Sequence, residues 1–189
     1  MTFTHRPVDP IGDLDLLHAW VTQPRARFWG MTTYTRDEVG EVYAFLDGLS
    51  THHAYLVHRD DVPVAIFQTY DPAHDPIGET FEVRQGDLGC HLFVGPAEAP
   101  EPGFTGRLTA YLIGVVLSDP AVQRIVAEPD VANAASIARA ERIGLQRGDV
   151  VELADKTAQL AFITRAELLG RTGAVSSPPN ARSGASSTE

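Results

Sequence analysis

Apolar positions divide the chain into helical and extended stretches. Asp13–Val21 spaces Leu14, Leu16, Leu17, Trp20 and Val21 as one helix face does, and Pro24 stops it. Thr35-Arg36-Asp37-Glu38 fits a capping box, with Thr35 accepting from the Glu38 amide and the Glu38 carboxylate reaching back. The helix it opens is expected to carry Val39, Val42, Tyr43, Phe45, Leu46 and Leu49 on its apolar side. Ala54–Val57 and Pro63–Tyr70 read as strands joined through a turn at Asp60-Asp61. Two prolines make 70–76 a polar loop, and a short strand is expected near Thr80–Val83. Leu88–Val94 reads as a buried strand in which Gly89 marks a bulge or a close backbone approach. Arg107–Leu117 is an apolar helix ended by Asp119-Pro120. Ile125–Leu145 organises the rest: a strand through Ala127, a polar loop at Glu128-Pro129-Asp130, and a helix from Asn133 to Gly144. Val150–Leu153 and Gln159–Ile163 close as an antiparallel pair around Ala154-Asp155-Lys156, and Thr164–Leu169 forms a last helical turn.

These elements fill one domain, residues 1–169. From Arg171 the apolar periodicity is gone, so 170–189 is expected to be a disordered tail. A formal net charge of −10 argues against nucleic acid, whose binding surfaces cluster Lys and Arg, and against an anionic membrane. The acidity either serves solubility or suits an amine substrate. No run is long enough to span a bilayer, the N-terminus lacks a signal-peptide core, and the only cysteine, Cys90, forbids an intrachain disulfide. A cytoplasmic protein is expected.

Three places suit chemistry. Gly103-Phe104-Thr105-Gly106 before Arg107 either caps its helix or offers free amides, and a cation, to a pyrophosphate. His91 shares a strand face with Phe93, opposite Cys90, Leu92 and Val94, and is either a satisfied core histidine or a base. Asp130 and Asn133 either cap the following helix or face a ligand, with Ser136 three residues on. Arg25, Arg27, Phe28 and Trp29 crowd a turn-rich connector that either anchors a loop or walls a pocket. The other histidines show no metal-ligand spacing, so no metal is expected, and Cys90 is expected to be buried and inert.

Together these features resemble the GNAT acyltransferase superfamily. Asn133-Ala134-Ala135-Ser136-Ile137-Ala138-Arg139-Ala140-Glu141-Arg142-Ile143-Gly144-Leu145 is similar to its Asn-to-Gly helix segment. A closer resemblance is to the branch that acylates hydroxamate siderophore precursors, as in aerobactin and mycobactin synthesis. It rests on Trp20 followed by Pro24-Arg25-Ala26-Arg27-Phe28-Trp29-Gly30-Met31, on Tyr70-Asp71-Pro72 with Gly86-Asp87-Leu88-Gly89-Cys90-His91, and on Glu128-Pro129-Asp130 with Asn133. The resemblance implies an α+β fold with a mixed, mostly antiparallel sheet flanked by helices. It implies transfer from acyl-CoA, acetyl- or succinyl-CoA foremost, to N-hydroxylysine, N-hydroxyornithine or N-hydroxycadaverine, by direct attack. His91 and Asp130 would be catalytic. A strand amide near Phe93 or Val94 would polarise the thioester, and Gly103, Phe104, Thr105, Gly106 and Arg107, with Asn133 and Ser136, would bind the donor. Arg27, Phe28, Trp29, Met31, Tyr70 and Glu128 would form the acceptor site. A siderophore synthetase or an acyl carrier protein would be the partner. Ala140 departs from many members of the superfamily, in which a tyrosine at this position would protonate the leaving thiolate. An aminoglycoside-type N-acetyltransferase and a non-catalytic acyl-CoA-binding module are the alternatives.

Overall fold

The structure is a computed structural model that describes residues 2–97, 99 and 101–175. A seven-stranded sheet runs through it in the order β1-β2-β3-β4-β5-β7-β6. The strands are β1 (Phe3–Pro7), β2 (His52–Arg59), β3 (Val62–Tyr70), β4 (Asp87–Val94), β5 (Arg124–Ala127), β6 (Gln146–Glu152) and β7 (Thr157–Thr164). All neighbours are antiparallel except β4 and β5. The helices are α1 (Leu14–Val21), α2 (Arg36–Asp47), α3 (Phe104–Ser118), α4 (Ala134–Ile143) and α5 (Arg165–Val175).

Strand alternation sorts the core into two layers. Val57, Ala65 and Phe67 face α3 with Leu108, Leu112 and Val116, and Cys90, Leu92 and Val94 join them. Leu56, Ile66 and Phe93 face the other way, onto Leu17, Trp20 and Val21 of α1 and Val39 and Tyr43 of α2. The capping box at Thr35 and Glu38 is present. Asp60 and Asp61 both take positive φ, as a tight hairpin turn between twisted strands requires.

Four expectations need correction. Phe45 is 68% exposed, because Val39, Tyr43 and Leu46 share the packed face and Phe45, two residues past Tyr43, points away. Leu49 lies beyond the end of α2. Thr80–Val83 forms no strand, since β3 and β5 already flank β4; Phe81 instead packs edge-on against Phe162, and the Glu82 carbonyl accepts from Arg124. The last helix runs to Val175, past the Thr164–Leu169 helical turn expected, and the rest of the expected tail, 176–189, lies outside the described residues. The sequence pattern also misses β1, an edge strand with one apolar residue, Phe3, which is held by pairing with β2 and by ring contacts to Phe104 and Tyr111.

The parallel β4–β5 pair is short. Asp87, Leu88 and Gly89 partner Arg124, Ile125 and Val126, and pairing stops there. At its base the Asp87 carboxylate accepts two hydrogen bonds from Arg124, at 2.7 and 2.6 Å, in a nearly buried ion pair that ties down the register. Beyond Gly89, β4 stays with β3 as far as Val94. The chain after β5 follows β7 instead: Ala127 partners Ala161, Gln159 donates to the Pro129 carbonyl, and Asp130 bridges Ala158. The sheet therefore forks.

Gly89 permits what happens at the fork. A Cβ there would collide with the ring of Tyr70, its partner on β3. The bare backbone lets that ring lie across β4 and reach the far side, which fulfils the close-approach reading. Gly89→Ala is expected to lower stability by about 1–3 kcal/mol through this overpacking. Gly114→Ala, in α3 with nothing near its Cβ position, is expected to raise it by about 0.5–1 kcal/mol. Urea denaturation of the two variants beside the wild type checks both.

Candidate active site

His91 and Glu128 stand two residues past the last paired positions of β4 and β5, Gly89 and Val126. Had the ladder continued they would be direct partners. The strands part instead, and the side chains bridge the gap: His91 Nε2 hydrogen-bonds Glu128 Oε1. The other carboxylate oxygen, Oε2, accepts from the Tyr70 hydroxyl at 2.7 Å. Lys156, in the β6–β7 turn, approaches Oε1 at 3.5 Å. The Glu128 side chain is 4% exposed and that of His91 36%. The carboxylate is thus buried and fully held, while the imidazole faces outward.

Burial alone would push the Glu128 carboxyl up. The charge and hydrogen bond of His91, the Lys156 ammonium and the Tyr70 hydroxyl more than reverse this and hold it at about 2. Glu128 is therefore an anion at neutral pH and can only accept. It follows that His91 Nε2 carries a proton, so that in the neutral imidazole the lone pair lies on Nδ1, which has no hydrogen-bond partner among the described residues. Burial, and then the Glu128 charge, push the Tyr70 hydroxyl and the Cys90 thiol up, so both stay protonated.

Aromatic rings wall the imidazole. Trp29, from the 3-10 segment Pro24–Trp29, meets His91 edge-on at 6.3 Å and Phe93 at 5.5 Å. The Tyr70 ring lies 5.1 Å from His91 and stacks on His52 behind it. Arg25 sits over Phe93 at 5.5 Å.

Backbone donors line the open side of the fork. Gly95 donates to the Val64 carbonyl on β3, so by alternation the amides of His91 and Phe93 also face β3. The amides of Leu92 and Val94 face the other way, where β5 has left. Of the two amides considered from sequence, Val94 is the free one and Phe93 is committed to the ladder.

The proposed pyrophosphate loop is shorter than expected, because α3 begins at Phe104 and Gly106 lies in its first turn. Gly103 is the N-cap, in the left-handed region at φ 76°. Phe104 donates to Glu101 and Arg107 to Gly103, which leaves the Thr105 and Gly106 amides open by position. Arg107 is not free: its guanidinium pairs with Glu101, which also holds Arg59. An anion at this helix end would compete with Glu101 for both arginines.

The structure brings His91, Trp29, Tyr70 and Glu128 together. It does not bring Asp130 to His91. The Asp130 carboxylate accepts from the Ala132 amide at 2.7 Å, and its backbone follows β7 away from β4. Asn133 accepts from the Ser136 amide and caps α4. Arg27 stacks on its neighbour Phe28, and Met31 packs beside the α1–α2 layer. Ala140 is buried in the α3 layer, so its side chain points into the core. Sequence reasoning missed Lys156 altogether. Its one visible signal was that it is the only lysine in the chain.

A family model described as an acetyltransferase (GNAT) domain matches residues 9–153. The chain belongs to this family and is an acyl-CoA-dependent N-acyltransferase. Its fold is similar to that of an uncharacterized protein from Bacillus halodurans, at TM-score 0.84 and 23% identity, covering 90% of this chain and 88% of that one. It is also similar to an aminoglycoside acetyltransferase in complex with coenzyme A, at TM-score 0.78 and 24% identity, covering 91% and 99%. Spermidine N-acetyltransferase from Vibrio cholerae, in complex with CoA and spermine, matches at TM-score 0.67 and 14% identity, covering 88% and 98%. At these identities the likeness establishes the fold. The search of curated proteins found no match. Among the described residues no helix is long and apolar enough to cross a membrane.

Because the Glu128 carboxyl is held below its ordinary 4.5, it adds stability above that value and loses it as pH falls toward about 2. At neutral pH the wild type is expected to be about 2 kcal/mol more stable than Glu128→Gln. The gap should shrink as pH drops below about 4.5. Denaturation midpoints of the two proteins across that range check it.

Proposed function

We propose that the protein acylates the amine or hydroxylamine of a small acceptor, of the N-hydroxylysine, N-hydroxyornithine or N-hydroxycadaverine type, by direct attack on acyl-CoA. The observation that carries the acyl-transfer chemistry is the outward-facing His91 held on buried Glu128 where β4 and β5 part. The acceptor class rests on the resemblance of the Trp20 to Met31, Tyr70 to His91 and Glu128 to Asn133 segments to the siderophore branch. Arg25, over Phe93 beside the base, adds support for the two amino-acid acceptors, since a guanidinium suits their carboxylate.

The nitrogen must be neutral to attack, because an ammonium has no lone pair. A hydroxylamine is already neutral near pH 7, so His91 works as the tetrahedral intermediate forms, taking the proton on Nδ1. Glu128 stabilises the imidazolium, and Tyr70 keeps Glu128 in place. The Val94 amide, with that of Leu92, lies where it can donate to the developing oxyanion. No hydroxyl stands at Ala140, and a thiolate whose conjugate acid has a pKa of ~8.5 leaves without one. The protonated, half-buried Cys90 thiol is no nucleophile, which fits direct transfer. In this reading Glu128 takes the role that the resemblance gave to Asp130.

A second reading, aminoglycoside or polyamine acetylation, is favoured by the net charge of −10. The likeness to an aminoglycoside acetyltransferase and a spermidine N-acetyltransferase is in its favour too.

Purified protein incubated with acetyl- or succinyl-CoA and each N-hydroxy amine is expected to give ferric-hydroxamate colour. Thiol release with aminoglycosides or spermidine but with no hydroxylamine would overturn the acceptor assignment. His91→Ala is expected to lower kcat/KM by about 10²–10⁴-fold, and Asp130→Ala by less than about tenfold. Thiol-release kinetics on both variants test the assignment of the base.

A further inference from the structure

Glu128 is almost completely buried, and a buried carboxylate needs a compensating cation. Two groups can supply one, and both address the same oxygen. His91 reaches Oε1 from β4 and Lys156 reaches it from the β6–β7 turn, where the Leu153 amide bonds the Lys156 carbonyl at 2.8 Å and fixes the turn. If His91 were the only cation available, burial of Glu128 would favour an imidazolium, and an imidazolium cannot take a proton from the acceptor.

We propose that Lys156 is a positioning residue of this reaction: its ammonium neutralises Glu128, so that His91 can remain unprotonated and act as the base. The inference rests on the reading of His91 given above. The surroundings of the imidazole agree with it. Tyr70 from β3 brings a neutral hydroxyl, with His52 and Asp75 behind it. Gln68, the β3 partner of His91, is uncharged. Cys90, next to His91 on β4, is a protonated thiol. Trp29 from the 3-10 segment is neutral, and Arg25 stands farther out, over Phe93. Among these groups Lys156 is the one cation that meets the carboxylate. Its side chain is 22% exposed, so a slender stem carries a point charge to a nearly buried oxygen. The turn that carries Lys156 belongs to the β7 side of the fork, as Glu128 does. The charge therefore travels with the carboxylate rather than with the base.

The test needs no acceptor. In the free protein the His91 imidazole can be titrated by NMR, with His91→Gln identifying its resonance. Lys156→Met is expected to raise the titration midpoint by about 1 pH unit, the size set by a unit charge about 5 Å away in a partly solvated site. Lys156→Arg should restore most of the wild-type value, and Lys156→Gln should repeat the effect of Met should that variant fold poorly. A purely structural role would not separate Arg from Met and Gln in this way. Where turnover is measurable, the acid limb of kcat/KM should move with the midpoint. A midpoint unchanged or lowered in both Lys156→Met and Lys156→Gln would overturn the proposal, as would Lys156→Arg behaving like Lys156→Met. A raised midpoint in a protein that acylates no amine would uphold the role of Lys156 in neutralising Glu128 and sink the functional reading instead.

Discussion

Everything at the site depends on where β4 and β5 stop pairing. Three residue pairs are joined by backbone hydrogen bonds, and then the ladders divide, β4 staying with β3 and the β5 chain with β7. Parallel pairing is slightly weaker per residue than antiparallel pairing, so the fork opens along the weakest seam of the sheet. Each strand keeps one ladder and gives up the other. That leaves the Leu92 and Val94 amides without partners inside the sheet, a place where unpaired backbone groups are otherwise rare. A substrate carbonyl or amide is the kind of group that satisfies them.

Two ion pairs mark the fork, at equivalent register positions. Asp87 and Arg124 close its base, and His91 and Glu128 span its opening. The chemical difference between them decides their roles. Arginine never gives up its proton, so the lower pair is permanent and holds the strands in register. An imidazole can both give up and take a proton, so the upper pair can take part in a reaction. A buried ion pair adds little net stability, because desolvation offsets attraction, and its worth at the base lies in alignment.

The neighbours of His91 serve the same end. The ring of Tyr70 crosses the bare backbone of Gly89 to hold Glu128, and Trp29 closes the imidazole against Phe93. These contacts fix one rotamer of the carboxylate and one tautomer of the base. The donor end is less prepared, since Glu101 already occupies Arg59 and Arg107.

By itself the sequence determined most of the elements and the faces of several. The capping box at Thr35, the turn at Asp60-Asp61, the Asn133 cap and the split of β4 into a His91 face and a Cys90 face were all legible, because each depends on residues a few positions apart. Gly89 announced a close approach without saying what approached. Strand and loop patterns pointed to His91 and the carboxylate-bearing loop, and the resemblance paired His91 with Asp130, but whether Glu128 or Asp130 meets His91 is a matter of inter-strand register. That register was set by the Asp87–Arg124 pair and by the β5–β7 ladder, which carries Asp130 away. β1 and the span of β6 were likewise invisible, since exposed edge strands carry no apolar alternation and exist only through their partners. Lys156 lies 28 residues from Glu128 in a turn that reads as ordinary polar connector. Only folding the β6–β7 hairpin back over the fork gave that charge its place, because the site is made of contacts between strands and no local pattern encodes them.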